Sequence, residues 1–187
     1  MIDMEIKLLI TDFDGTLVNT FQANYHAYRE AFGQCGMTLT EEQYRGCYGM
    51  RFDKFMETMG IADGEIRKRI RELKGNCYPA YFNMLELNRP LLDFIRMFRQ
   101  SGGKTAVAST ARGKNLSNAL NHFGITEEFD LVLAGEDVVE GKPSPEIYNT
   151  VMNRMGVSPS ETLIFEDSAV GLLAAQACGA NYIKIQL

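Results

Sequence analysis

Ile6-Lys7-Leu8-Leu9-Ile10-Thr11-Asp12-Phe13-Asp14-Gly15-Thr16-Leu17-Val18 is the stretch whose reading decides the fold. Its first half is a nearly continuous apolar run that stops at two acids. A short apolar run bounded by turn residues reads as a strand buried on both faces, as in a parallel sheet. Open parallel sheets bind ligands beyond the carboxyl ends of their strands, and Asp12 and Asp14 stand at that place. If the backbone turns at Asp14-Gly15, the two carboxylates crowd one small volume. Anions held that close repel each other unless a proton or a cation intervenes. Mg²⁺ is the simplest resolution, because hard divalent cations take oxygen ligands. Taken alone, the string also reads as an Asp-Gly turn behind a strand-end cap.

Downstream the pattern turns helical. Phe21, Tyr25, Tyr28 and Phe32 recur at helical spacing, as do Ala23, Ala27 and Ala31. Gly33 and Gly36 mark a stop. A second helix is expected from Thr40, with Gln43 completing a capping box and Tyr44, Cys47 and Tyr48 on its inner face. Phe52, Phe55, Met56 and Met59 predict a third, ended by Gly60. A fourth runs from about Glu65 through Leu73 towards Tyr81, with Ile66, Ile70 and Leu73 on one side. Nothing between residues 20 and 87 has the strand pattern. A crossover between parallel strands needs only one helix. The excess predicts a small helical domain, residues 19–87, inserted into an α/β core of residues 1–18 and 88–187.

In the core, Arg89-Pro90 opens a helix with proline at its first position; Leu91, Phe94, Ile95 and Phe98 are its expected buried face. Lys104–Ala108 reads as a strand that stops at Ser109-Thr110. A helix from about Asn115 to Phe123 follows, capped by Gly124, and then a strand at Leu131–Ala134. Gly141-Lys142-Pro143-Ser144-Pro145 is a loop into a helix, with Ser144 its N-cap and Pro145 its first residue. Ile147, Tyr148, Val151, Met152 and Met155 form that helix's apolar stripe. Thr162–Phe165 is a strand ending in Glu166-Asp167. A helix of small residues, Ser168 to Cys178, leads to a last strand at Tyr182–Ile185. This alternation predicts a Rossmann-like α/β fold: a mainly parallel sheet with helices on both faces and right-handed crossovers.

The chain has 187 residues, 45% hydrophobic and 23% charged, with a formal charge of -5. That length supports one buried core with a smaller insertion. The acidic balance argues against a nucleic-acid or anionic-membrane binder, which needs a basic surface. Cys35, Cys47, Cys77 and Cys178 are scattered with no C-x-x-C, as expected of reduced thiols in a cytoplasmic protein. No signal peptide or membrane span is read, since the first apolar run is short and carries Lys7.

Polar residues end several strands: Asp12 and Asp14, Ser109 and Thr110, Glu166 and Asp167, with the Lys142 loop beside them. Singly, Ser109 and Thr110 read as turn residues. Lys142 reads as a solvated loop charge, and Glu166-Asp167 as acids favoured by a helix N-terminus. In a parallel sheet, however, all strand carboxyl ends lie on one edge. If the strands bearing Asp12, Ser109 and Glu166 are neighbours, with the Asp12 strand central, these groups converge at a topological switch point. Together they have one chemical sense: acids for a cation, a hydroxyl and an ammonium for a phosphoryl group, and one acid free to attack.

The chain resembles the haloacid dehalogenase superfamily, in its Mg²⁺-dependent phosphohydrolase branch and the β-phosphoglucomutase-like group with a helical type-1 cap. Asp12-Phe13-Asp14-Gly15-Thr16, Ser109 after an apolar strand, Gly141-Lys142-Pro143 and Glu166-Asp167 fall in the family's order across nearly the whole chain. The resemblance implies that Asp12 is a nucleophile forming an aspartyl-phosphate, and that Asp14 protonates the leaving alcohol and then activates water. It implies Mg²⁺ held by Asp12, Asp14 (through its carbonyl), Asp167 and Glu166, the last directly or through water. It implies that Ser109, Thr110 and Lys142 hold phosphoryl oxygens, and that Arg51, in Gly49-Met50-Arg51-Phe52, reaches a distal substrate group. The implied substrate is a small phosphorylated metabolite. The expected assembly is a monomer or a weak homodimer, the last strand's bare edge being where a partner could lie.

Mutases of this group carry a histidine in the first cap helix; the matching residue here is Asn24, which favours hydrolysis over phosphoglucomutase-type transfer. A catalytically idle binding protein would have lost Asp12, Asp14, Lys142 or the final acid pair, and all are present. A halide-releasing dehalogenase has no use for Asp14 or the Glu166-Asp167 pair.

Overall fold

The computed structural model describes residues 5–187. In chain order, β1 is Leu8–Thr11 and β2 is Val18–Asn19. Helices α1 (Phe21–Gln34), α2 (Glu41–Cys47), α3 (Phe52–Thr58) and α4 (Gly64–Cys77) follow, then a 3₁₀ turn at Tyr78–Met84. Next are β3 (Glu86–Leu87), α5 (Arg89–Gln100), β4 (Lys104–Ala108), α6 (Gly113–Phe123) and β5 (Leu131–Leu133). The chain continues with α7 (Glu146–Met155), β6 (Thr162–Glu166), α8 (Ala169–Ala177) and β7 (Asn181–Lys184). Two compact units result: Thr20–Glu86, and the chain up to Asn19 together with Leu87–Leu187.

The second of these units is built on a five-stranded sheet of order β5-β4-β1-β6-β7, with every pairing parallel. β1 is buried along its whole length, which is why it reads as an unbroken apolar run. Leu8, Ile10, Ala106, Ala108, Leu133 and Ile164 point to one face, where they pack with Ile147, Val151 and Met152 of α7 and Ala174 and Ala175 of α8. Small residues on α8 let that helix lie close to the sheet. On the opposite face Phe165 meets Phe94 of α5 edge-on, with ring centroids 5.9 Å apart.

That contact corrects one expectation. α5 buries Leu91, Leu92 and Ile95, whereas Phe94 is 43% exposed. The apolar stripe is rotated towards Leu92, and Phe94 lies at its margin, covering Phe165 with one edge. α7 begins one residue later than its turn chemistry indicated: Pro145 sits at the N-cap, and the Ser144 hydroxyl accepts from the Glu146 N–H at 3.4 Å. Boundaries move by a residue or two because end turns fray. β2 and β3, two residues each, escaped the periodicity and pair with each other in a short ribbon.

The helical unit has its own core of Tyr25, Phe32, Leu39, Tyr44, Phe55, Met56 and Ile70. Tyr44 is its hub, its ring 5.4 to 6.0 Å from those of Phe21, Tyr25, Tyr28 and Phe55. The capping box on α2 is present: Gln43 N–H donates to Thr40 Oγ1 at 3.2 Å and Thr40 N–H donates to Gln43 Oε1 at 2.9 Å. On α4, Ile70 is buried, but Ile66 lies 37% exposed. Among the described residues no helix is long and apolar enough to cross a membrane, and the four thiols are unpaired.

Candidate active site

β1, β4 and β6 lie side by side, so the residues that end them share one edge. The backbone past β1 is turned by two hydrogen bonds, Val18 N–H to Phe13 O at 2.9 Å and Gly15 N–H to Val18 O at 2.8 Å. Gly15 has φ +90°, a conformation that favours glycine. A Cβ there would also come within 2.3 Å of Asp167 Oδ2. The D-x-D-G turn therefore backs onto the last acid of the constellation, 152 residues further on.

Lys142 is the electrostatic hub. Its side chain is only 3% exposed, so it is no solvated loop charge. Its ammonium donates to Asp12 Oδ1 at 2.6 Å, Glu166 Oε2 at 2.7 Å and the Ala108 carbonyl at 3.1 Å. The loop is closed behind it by Glu146, whose carboxylate accepts from the Val139 and Glu140 N–H groups at 2.8 and 2.7 Å.

Glu166 is fully buried. Burial works to raise its carboxyl, but the Lys142 charge and hydrogen bond, joined by Tyr148 and Ser168, hold it below the usual range. Asp12 goes the other way. Burial, reinforced by the Glu166 charge, pushes its carboxyl well above the ordinary value, and Lys142 offsets only part. Burial likewise pushes the Asp167 carboxyl up to about 6, although Thr16 Oγ1 donates to its Oδ1 at 2.8 Å. The Lys142 ammonium rises well above its normal value: burial opposes its charge, and Asp12, Tyr148 and Glu166 outweigh that.

Asp12, Glu166 and Asp167 each offer a carboxylate oxygen within 4.8 Å of the others. One ammonium cannot offset three carboxylates, and two of them already hold protons more tightly than usual. An all-oxygen, net-negative donor set of this kind suits Mg²⁺, Ca²⁺ or Mn²⁺ and not the softer metals. Asp14 Oδ2 lies 3.4 Å from Ser109 Oγ. Ser109, fully buried, is fixed in turn by the Ala111 N–H at 3.0 Å. Thr110 follows it, its carbonyl so near Gly135 that a Cβ there would stand 2.6 Å away. Arg51 belongs to the helical unit, at the residue preceding α3.

A model of the haloacid dehalogenase-like hydrolase family matches residues 9–185. The chain belongs to that family. Among haloacid dehalogenase-like relatives, it is 29% identical over 184 residues to the phosphorylated carbohydrates phosphatase of Thermotoga maritima, covering 95% of this chain and 84% of that protein. It is 27% identical to the fructose-1-phosphate phosphatase YqaB of Escherichia coli, covering 96% of each. The crystal structure of CbbY from Rhodobacter sphaeroides in complex with phosphate superposes with a TM-score of 0.88 at 28% identity, over 97% of this chain and 87% of that one. The family and its hydrolase members establish a phosphomonoester hydrolase with this α/β fold.

Residues that sequence reasoning missed serve as supports in this haloacid dehalogenase-like site. Thr16 carries no role of its own in the quoted motif, and it orients Asp167. Ser168 had been read only as a helix start; its hydroxyl both caps α8, at 3.1 Å from the Gly171 N–H, and donates to Glu166 Oε1 at 2.9 Å. Tyr148 had been placed in an apolar stripe. A hydroxyl in a buried stripe was itself the signal, because a buried phenol needs a partner.

Gly171 sets how closely α8 approaches: a Cβ there would lie 2.0 Å from Glu166 Cδ. Gly171→Ala is expected to lower unfolding stability by about 1–3 kcal/mol through overpacking, read from urea denaturation. An unchanged midpoint would show that α8 does not lie this close to the carboxylate.

Proposed function

We propose that this chain is a Mg²⁺-dependent phosphatase of a small phosphorylated metabolite, a sugar phosphate being the favoured class, working through a phosphoryl group carried on Asp12. The single observation behind this is the cluster in which Lys142 bridges Asp12 and Glu166 while Asp167 stands within reach of both. The names of the relatives from Thermotoga maritima and Escherichia coli support the substrate class.

In this reading Asp12 attacks phosphorus and the phosphorus–oxygen bond to the alcohol breaks. Asp14 gives the alcohol its proton, then takes one from the water that releases phosphate from Asp12. Ser109 Oγ and Lys142 Nζ stabilise the charge on the phosphoryl oxygens, with Thr110 beside them. Mg²⁺, which Asp12, Asp167 and the Asp14 carbonyl would hold with Glu166 adjacent, supplies charge neutralisation at the transferring group. The helical unit, residues 19–87 in the sequence reading, serves as a cap that sets specificity, and Arg51 is its proposed contact to a distal acid or phosphate. Asn24, where mutases carry a histidine, favours water as acceptor over a sugar hydroxyl. The reading places the enzyme in the cytoplasm, as a monomer or weak homodimer.

The experiment is a panel of phosphorylated metabolites assayed for phosphate release with Mg²⁺. Release from at least one sugar phosphate, abolished by EDTA and restored by Mg²⁺, is expected. Metal-independent release, or none across the panel, would contradict the reading. The pH dependence has a definite sign. With the Asp167 carboxyl at about 6, a proton competes with the cation below that pH and not above it. The Asp12 carboxyl, also raised by burial, competes in the same direction. Mg²⁺ affinity should therefore be at least about tenfold weaker at pH 5 than at pH 7.5, and an affinity that is flat or rises towards acid would exclude Asp167 as a ligand.

A further inference from the structure

Tyr148 has no part in the chemistry proposed above, yet it touches two members of the site. It is fully buried on α7. Its hydroxyl donates to Glu166 Oε2 at 2.6 Å, and its ring centroid lies 5.0 Å from the Lys142 ammonium, within cation–π range. Glu166 Oε2 also accepts from Lys142 at 2.7 Å. The other oxygen, Oε1, accepts from the Asp167 and Ser168 N–H groups at 3.2 and 3.0 Å and from the Ser168 hydroxyl at 2.9 Å. A carboxylate has about four lone-pair positions, and five donors surround this one. It can give an oxygen to a cation only by losing a donor. Losing one is costly for a carboxylate that is fully buried.

We propose that Tyr148 is a positioning residue: by holding Glu166 Oε2 it commits Glu166 to anchoring Lys142 against Asp12 and withholds that carboxylate from the divalent cation. This rests on the phosphoryl-transfer reading, in which Lys142 steadies charge that develops beside Asp12. An ammonium has three protons, and Lys142 directs them to Asp12, Glu166 and the Ala108 carbonyl. The backbone fixes one of those partners, and Asp12, directly after β1, is held by its N–H bond to the Phe165 carbonyl at 2.9 Å. Glu166 is the third; the N-terminus of α8 holds its Oε1 side and Tyr148 holds the side that Lys142 uses. The oxygens gathered within 4.8 Å of one another thus divide by role: Asp12 and Asp167 face the ion, and Glu166 sets the lysine.

Tyr148→Phe keeps the ring and removes the hydroxyl, so it tests the hydrogen bond apart from packing. Mg²⁺ affinity by calorimetry is expected to stay within about threefold of native in Tyr148→Phe, because the Glu166 charge is kept and the ligands of the ion are left in place. A loss of tenfold or more in Tyr148→Phe, the size usual for a lost support of a metal ligand, would mean that the hydroxyl holds Glu166 for the ion and would overturn the proposal. The ¹⁵N resonance of the buried Lys142 ammonium, assigned by its absence from Lys142→Arg, which keeps a cation between the two acids, should shift in Tyr148→Phe; an unchanged resonance overturns the positioning role. Against the best substrate of the phosphate-release panel, kcat should fall about tenfold with KM unchanged, a split that simple loss of packing does not produce. Unchanged kcat overturns the proposal. If the native protein releases phosphate from nothing, the functional reading fails by itself, and the calorimetry and the ammonium resonance still decide the part played by Tyr148.

Discussion

Asp12→Asn is expected to release phosphate at less than about a thousandth of the native rate, a loss typical of removing a nucleophile, while unfolding no earlier than the native chain. The amide is nearly isosteric, and its Oδ1 can still accept from the Lys142 ammonium, now 2.6 Å from Asp12 Oδ1. It cannot attack phosphorus. Stability should hold because a charge at this position is disfavoured in the native fold: burial and Glu166 already push the Asp12 carboxyl up. The measurement pairs single-turnover phosphate release with a urea unfolding curve. A rate within tenfold of native would refute Asp12 as nucleophile. A collapse of stability alongside lost activity would instead make Asp12 a structural partner of Lys142.

Lys142→Met is expected to cost both activity and fold. It removes the ammonium that sits between two buried carboxylates and leaves them facing each other. Breaking a buried ion pair from one side costs about 3–5 kcal/mol, a large share of the 5–15 kcal/mol typical of a whole domain. The loss should depend on pH in one direction only. Without Lys142, Asp12 loses the group that pulls its already raised carboxyl down, so the folded state binds a proton there more tightly than the unfolded chain does. Stability then rises as pH falls through the folded value of Asp12 and is lowest above it. The deficit against native should therefore be largest near pH 8 and shrink towards pH 5. Chemical denaturation at the two pH values measures it, and an equal midpoint for variant and native at pH 8 would mean that Lys142 does not offset the acids.

Much of the fold was legible because its signals are local. β1 is buried on both faces and reads as an unbroken apolar run. Proline and glycine punctuate the helices, and Thr40 with Gln43 spells out its own cap. The sheet order followed from one conditional step, that the strands before Ser109 and Glu166 flank the strand before Asp12, and the pairing of β4 and β6 with β1 meets it. Residues with a non-local cause could not be read in the same way. Phe94 and Leu92 are both apolar on one helix, and only the rotation of α5 against Phe165 decides which is covered. Lys142 is a charged residue in a proline-bounded loop, indistinguishable from a surface lysine until β1 and β6 bring it two carboxylates. Thr16, Gly171 and Tyr148 are defined by partners 151, 5 and 18 positions away, of which periodicity says nothing. The acids and the lysine were found because four short strings fell in a family's order; their supports follow no such string.

The account depends on residues from the first strand and the last quarter of the chain holding one cation between them. Calorimetric titration of Mg²⁺ into metal-stripped native protein and into Asp167→Asn tests this most directly. One ion per native chain and binding at least tenfold weaker in the variant is the predicted result. Equal affinity in the two proteins, or no binding to the native chain at pH 7.5, would contradict it.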